Sequence, residues 1–577
     1  MSDGDNLQGV KASLIARFCM AMLVLFSFIC GAFVAGVSLH DPDTCWLLAL
    51  GKQIIDARSV PFSDPFSYTF ACLGPSGAID YAAIVGKAAT AGDGRVFIAY
   101  QWLSEVVFYL SYMVGAGYGL VATCCFVLVS ALIVMPLIIY QRLKSSIMVG
   151  GLMTVFGVVA CCFHFLARPE VFSYFWWALT LYILAGYRYV FETTRNASPS
   201  IFLIPLIVLV WANMHTGFAY AFLGLGIFTL AISLECLIHR EKPGKYEAFA
   251  WLSLMSAFGI SLINPHGFGL WAYMPDLFFS PLNRYIIELQ PISAKDLTEW
   301  TYYPFFIVSA SVLAILVRNI LFWIKRRHLP RSWLFTILAT VTAIGGGIVS
   351  RRVIPFDTLF LVCEAAWLLR HTGVPFWEAG EHHDEHDTLL HKADHKLSEL
   401  IKGGAWATLC LGFSLLGVYL TAARIQQPVI PQKSGAFSSP QKLIAFIGSQ
   451  EKDLGRVFND PQIGDMIIWH LQTDARSSLA EDPWRVEKVN YRPKVFIDTR
   501  YDMYGEPLVS DYYRMANCQS GWRDLFAKYD FDWVVLRKKQ NLHKALKKMP
   551  GWKEVYSDST TVLYVRNEEN REKKSEN

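Results

Sequence analysis

Apolar stretches long enough to cross a lipid bilayer recur along most of this 577-residue chain, and they constrain its folding more than any other feature. A helix rises about 1.5 Å per residue and satisfies its own backbone hydrogen bonds, so about 20 apolar residues span the hydrocarbon. Candidate spans fall near 18–39, 118–140, 147–166, 170–190, 200–213, 217–238, 247–263, 302–323, 331–349, 352–370 and 404–421. The expected fold is therefore a polytopic α-helical membrane protein with about eleven transmembrane helices. The first span follows Lys11 and Arg17 and lacks a small-residue cleavage site, so it reads as an uncleaved anchor. The formal net charge of +4 is small and scattered, which excludes the dense basic face of a nucleic-acid partner.

Charge reports topology instead. Lys11 and Arg17, Arg142 and Lys144, Arg188 and Arg195, Arg240, Lys242 and Lys245, Lys325, Arg326, Arg327 and Arg331, and the segment 371–403 all face the cytoplasm if the positive-inside bias holds. The N-terminus is then cytoplasmic. Tyr100 to Gly115 is apolar enough to cross, but a crossing there would invert every later basic loop. It is placed as a helix in the outer interface, with Trp102 and Tyr109 as interfacial aromatics, and 268–280 as a short helix on the outer surface. Two long outer loops result, about 40–117 and 264–301. Residues 1–424 form the membrane domain. After the polar linker Gln426-Gln427-Pro428, residues 425–577 hold no span and read as a soluble extracytoplasmic α/β domain. Its expected strands are Met466–Leu471, Lys494–Asp498, Phe531–Leu536 and Thr561–Val565, with helices at Trp522–Tyr529 and Leu542–Met549. Most cysteines, such as Cys124, Cys125, Cys161 and Cys162, lie in apolar runs. Only Cys45 and Cys72 are placed for an outer-loop bridge.

The residues that could do chemistry collect at the outer helix ends. His40-Asp41-Pro42-Asp43-Thr44-Cys45-Trp46 follows the first span directly, and sets two carboxylates at the level of the outer headgroups. Either acid can serve as general base toward an acceptor hydroxyl, or hold a divalent cation that neutralises a phosphate. The plainer role is to cap the helix expected from Thr44 to Arg58. Arg168-Pro169-Glu170 brings a guanidinium to where a lipid phosphate would lie, and Arg351-Arg352 is an outer basic pair against the general bias. Trp211-Ala212-Asn213-Met214-His215 and Asn264-Pro265-His266 offer amides and imidazoles to sugar hydroxyls, although Asn beside Gly or Pro commonly just forms turns. Glu288 and Gln290 are further candidates. The run Glu381–Asp387, with His391 and His395, lacks metal-ligand spacing and reads as a solvated linker. Asp498-Thr499-Arg500-Tyr501-Asp502 follows an expected strand, where α/β sheets bind ligands or pack on neighbours.

The stretch DPDTCWLLALGKQIIDARSVPFSDPFSYTF, then QWLSE, resembles the GT-C superfamily of integral membrane glycosyltransferases, in a bacterial branch near the RgtA/B/C/D-like and dolichyl-phosphate-mannose mannosyltransferase-like proteins. The likeness is most specific over 40–105 and looser at 164–170, 211–218 and 264–290. It implies an inverting hexosyl or pentosyl transferase of the bacterial inner membrane that takes its sugar from a polyprenyl-phosphate donor among the membrane lipids. The acceptor would be a glycan, lipid or protein. The first-loop acid, Asp41 or Asp43, would be the catalytic base. Substrate contacts are expected from His40, Trp102, Glu105, Arg168, Glu170, His215, His266, Glu288, Arg351 and Arg352. Where aminoarabinose transferases carry a Lys-Pro-Pro-Leu-type element, this chain has Gln101-Trp102-Leu103-Ser104-Glu105, so donor contacts do not transfer across. Two rival readings remain: a transporter or flippase of a lipid-linked or polar solute, which would favour repeats and midplane charges, and a noncatalytic assembly protein.

Overall fold

A computed structural model describes residues 41–74, 78–84, 96–327, 329–371, 441–473 and 489–567. The expected spans 18–39 and 404–421, His40, the linker and the histidine-rich run lie outside these residues. The chain divides into two compact units. One gathers Val121–Asn264 and the described part of Ile287–Arg424. The other gathers the described parts of Leu39–Leu120, Pro265–Ile286 and Ile425–Asn577.

The first unit is helical. Helices Ile147–Cys161, Glu170–Thr194, Leu203–Trp211, Ala219–His239, Lys245–Ser261, Tyr303–Arg326, Trp333–Val349 and Ile354–Arg370 each cover one expected span. Four stretches, Trp102–Arg142, Ile147–His164, Thr216–His239 and Trp300–Arg326, are long and apolar enough to cross a membrane, and Pro199–Trp211 and Trp333–Val349 are shorter apolar helices. Ile354–Arg370 is buried on every side from Ile354 to Leu369, including Asp357 and Glu364. Other helices of this unit leave Leu206, Leu223, Leu230, Leu252, Leu313 and Leu321 exposed, the pattern of surfaces meant for lipid rather than water.

One arginine counted above among the cytoplasmic charges lies in a buried ion pair. Arg188 is 3% exposed. Its guanidinium makes a forked contact with Glu364, at 2.7 and 3.0 Å, and donates to Thr336 and Ser332. The ring of Trp367 covers it at 3.9 Å. All three guanidinium nitrogens donate, which suits a charge inside a helical bundle.

The run Trp102–Val129 is assigned as one helix, but Gly115 (φ −148°, ψ 23°) and Ala116 (φ 47°, ψ −137°) leave helical space. A Cβ on Gly119 would lie 2.0 Å from the carbonyl oxygen of Ser111. In a straight helix residues eight apart are about 12 Å apart along the axis. The chain therefore folds back at 115–116, and 102–114 is an element distinct from the span that follows.

The second unit carries a four-stranded sheet of order β1-β2-β4-β3, with β1 Val457–Asn459, β2 Trp533–Arg537, β3 Trp552–Ser557 and β4 Thr561–Arg566. β1 and β2 are parallel, and the other two pairs are antiparallel. β2 and β4 fall on two expected strands, and the helix Trp522–Tyr529 is where the sequence put it. Met466–Leu471 is a correction: it belongs to the helix Pro461–Gln472, which Asp460 caps by accepting from the Gln462 N–H at 3.1 Å. Its buried Ile463, Ile467, Ile468 and Leu471 recur at helical spacing, a period that the β-branched composition masks. Lys494–Asp498 is also no strand. It makes a single bridge, Val495 to Ser67, in the first loop. The Tyr68 hydroxyl donates to the Val457 carbonyl (2.8 Å) and Thr69 Oγ1 to that of Phe496 (2.6 Å), while Tyr273 donates to Asp502 (2.6 Å) and Tyr285 stacks on Tyr513. Both expected outer loops are thus fastened to the C-terminal segment.

Candidate functional site

Pro42, with φ −58°, starts the helix Asp43–Ala57, and Arg58 ends it in the left-handed region. Proline supplies this φ without cost at a helix start, and an acid in the first turn suits the positive end of the helix dipole. The two acids diverge at this point. Asp41 is 9% exposed, and its Oδ1 accepts from the backbone N–H of Asp43 at 3.4 Å, so it serves as a weak cap. Asp43 is half-buried. Its Oδ1 accepts from the Thr499 hydroxyl at 2.5 Å, 456 residues along the chain.

Thr499 is held from both sides. Asp498 accepts from Arg500 Nε (2.9 Å) and Nη2 (2.6 Å) and from the Tyr504 hydroxyl (2.6 Å). Arg500 Nη1 donates to Asp64 in the first loop at 2.8 Å, and Trp46, Phe66 and Phe97 surround its guanidinium. The Thr499 N–H donates to Asp465 Oδ1 at 3.2 Å. Asp465 is fully buried, and its Oδ2 has no hydrogen-bond partner. Burial, then the carboxylates of Asp498 and Asp43, push its acid well above the usual range.

The other candidates fall in the first unit and form pairs. Arg352 Nη2 meets Glu170 Oε1 at 2.5 Å, Arg351 Nη2 meets Asp296 Oδ2 at 2.6 Å, and Arg168 Nη1 is 3.5 Å from Glu288 Oε2. The outer basic pair thus has carboxylate partners of its own. Arg168–Glu288 is the longest of the three, and both of its side chains are part-exposed.

His215 sits beside Glu170 in a fixed hydrogen-bond chain. Trp211 Nε1 donates to Ser173 Oγ (2.8 Å), Ser173 Oγ lies 2.8 Å from His215 Nδ1, and the Gly217 N–H donates to Nδ1 (3.0 Å). Since Nδ1 accepts from a backbone N–H, this pattern assigns the ring proton to Nε2. A Cβ on Gly217 would lie 2.5 Å from Ser173 Oγ, so the approach needs glycine. Burial outweighs the pull of Glu170 and lowers the imidazole to about 4.

The remaining candidates have structural partners. Asn213 donates to the carbonyls of Leu209 and Ile263, and Asn264 to that of Ser261, so both amides tie turns. His266 packs edge-on against Phe62 at 5.2 Å, and burial lowers its imidazole. Glu105 is fully buried, next to Gly51, where a Cβ would meet its carbonyl at 2.1 Å. Trp102 begins its helix, part-buried. Cys45 and Cys72 are free thiols. Among the described residues no group of three or more His, Cys, Asp or Glu is arranged to hold a metal ion. Sequence reasoning weighed Asp498–Asp502 for packing or ligand binding and missed Asp465, Ser173 and Thr499's bond to Asp43. Their links join positions tens to hundreds of residues apart.

No protein-family model and no curated protein matches the chain. Among solved structures, it is similar to ArnT from Cupriavidus metallidurans in the apo state, at 12% identity and a TM-score of 0.44, covering 95% of this chain and 98% of that one. The same protein bound to undecaprenyl phosphate gives a TM-score of 0.43. The Archaeoglobus fulgidus oligosaccharyltransferase, tethered with an acceptor peptide, is similar at 12% identity and a TM-score of 0.43, over 96% of this chain and 74% of that one. These likenesses are distant. The functional reading rests on the residues of this chain.

Proposed function

We propose that this protein is an integral membrane glycosyltransferase that moves a sugar from a polyprenyl-phosphate donor to an acceptor on the outer face of a bacterial inner membrane, with Asp43 as base. The observation that carries the reading is the contrast at the head of the first described helix. Asp41 is buried and accepts from the Asp43 N–H, whereas Asp43 is half-buried with one oxygen held by Thr499. The resemblance of the stretch 41–105 to GT-C enzymes supports assigning the base to this loop.

In the proposed reaction Asp43 takes the proton of an acceptor hydroxyl as its oxygen attacks the anomeric carbon. The bond from that carbon to the phosphate oxygen breaks, and the lipid leaves as a phosphomonoester. One base and one leaving group give a single in-line displacement, which inverts the anomeric carbon. Arg168 is assigned to the phosphate because its planar fork suits phosphate oxygens. His215, with its Nε2 proton outward from the Ser173 contact, is assigned to a sugar hydroxyl. In this reading residues 425–577 are an extracytoplasmic domain and the N-terminus is cytoplasmic. Metal dependence is tested in the same assay by adding a chelator.

The test uses purified protein in lipid vesicles with a panel of radiolabelled farnesyl-phosphate hexoses and pentoses. Asp43→Asn is expected to lower transfer by about 10²–10⁴-fold, the usual worth of a general base, and Asp41→Asn by much less. Transfer unchanged in Asp43→Asn removes the base.

A further inference from the structure

We infer that Thr499, from the C-terminal segment, is a positioning residue for Asp43, set by the clamp of Asp498, Arg500 and Asp64 so that its hydroxyl fixes one oxygen of that carboxylate. The inference rests on the reading of Asp43 as base and goes beyond it by making residues 498–500 part of the working site.

The geometry makes the case. A threonine side chain that donates to an acid 456 residues away at 2.5 Å needs its backbone fixed on both sides, and the flanking residues supply this. Asp498 and Arg500 grip each other through two bonds, and the Arg500 N–H adds a third to Asp498 Oδ1 at 2.9 Å. Asp64 then ties the clamp to the same loop that carries Asp43. Thr499 also spends its backbone N–H on Asp465, so one residue touches both acids. A hydroxyl donating to a carboxylate favours the ionised form and fixes its rotamer.

Other titratable groups around Asp43 are few. Asp41 and Cys45 share its segment, Asp465 comes from the helix Pro461–Gln472, and Asp498 from the clamp. Glu105 lies two turns further along, across from Gly51, and Lys52 pairs with Asp56 at the far end of the helix. Arg500, a cation at this end among the described residues, is already shared by two acids.

Carbodiimide labels protonated carboxyls, so labelling of Asp43 against pH, read by mass spectrometry of the full-length protein in vesicles, reports its titration without any substrate. Thr499→Val removes the hydroxyl at nearly constant shape. Its midpoint should move to higher pH by about one unit, and Thr499→Ser should restore the wild-type curve. In the transfer assay Thr499→Val should lower kcat about tenfold or more with KM unchanged, and shift the acidic limb of the pH profile upward in step. If Thr499→Val fails to fold, Thr499→Ala against Thr499→Ser gives the same comparison. An unmoved labelling curve in both Val and Ala variants overturns the inference. A moved curve with Asp43→Asn still fully active instead overturns the base assignment while leaving the Thr499 contact standing.

Discussion

At the scale of single residues, the clearest consequence concerns His215. Its ring lies between two spans, locked by Ser173 and Gly217, and titrates at about 4 in the folded chain against the ordinary 6.5. The unfolded chain therefore binds an extra proton between these values. Stability from keeping His215 neutral is full above pH 6.5 and is lost as the pH falls toward 4, a change of about 3 kcal/mol. Thermal unfolding in detergent at pH 7.5 and pH 4.5 checks this. The wild type should lose more on acidification than His215→Asn, and equal losses would contradict the assignment. The sequence marked His215, Glu170 and Arg168 through their outer position. Ser173 was invisible because a serine within an apolar helix carries no signal of its own, and its partner is 42 residues away. Asn213 and Asn264 went the other way, spending their amides on backbone carbonyls, as turn-forming asparagines do.

Among elements, the helices were the most legible feature, because lipid exposure demands long apolar runs and the chain supplies them. The break at Gly115–Ala116 was legible only indirectly, through the charge argument that kept 100–115 out of the spans. The buried partner of Arg188 was not legible, for a physical reason. A basic residue near a helix end looks the same in sequence whether it reaches water or meets a buried acid, and Glu364 lies 176 residues away. Breaking this pair leaves an uncompensated charge, so Glu364→Ala and Arg188→Ala should each cost about 3–5 kcal/mol. Replacing both with Leu should destabilise less than either single change. A thermal-unfolding cycle in which the losses simply add would show that the pair is not coupled.

For the molecule as a whole, the sequence separated two outer loops from a C-terminal segment. Their assembly into one compact unit, Leu39–Leu120 with Pro265–Ile286 and the C-terminal stretch, was not readable. It depends on contacts such as Thr499 to Asp43, Arg500 to Asp64 and Tyr273 to Asp502, which no local pattern encodes. The strand misread at 466–471 has the same origin, since the period of a short β-branched run is settled by what it packs on. The central claim is that Asp43 drives release of a lipid phosphate by sugar transfer. The direct measurement is ³¹P NMR of purified protein in vesicles with a farnesyl-phosphate-linked sugar and a mixed acceptor pool. The account predicts conversion of the phosphodiester signal to a phosphomonoester in the wild type, and its near-absence in Asp43→Asn. Conversion at the wild-type rate in Asp43→Asn, or none in the wild type with any sugar of the panel, would contradict it.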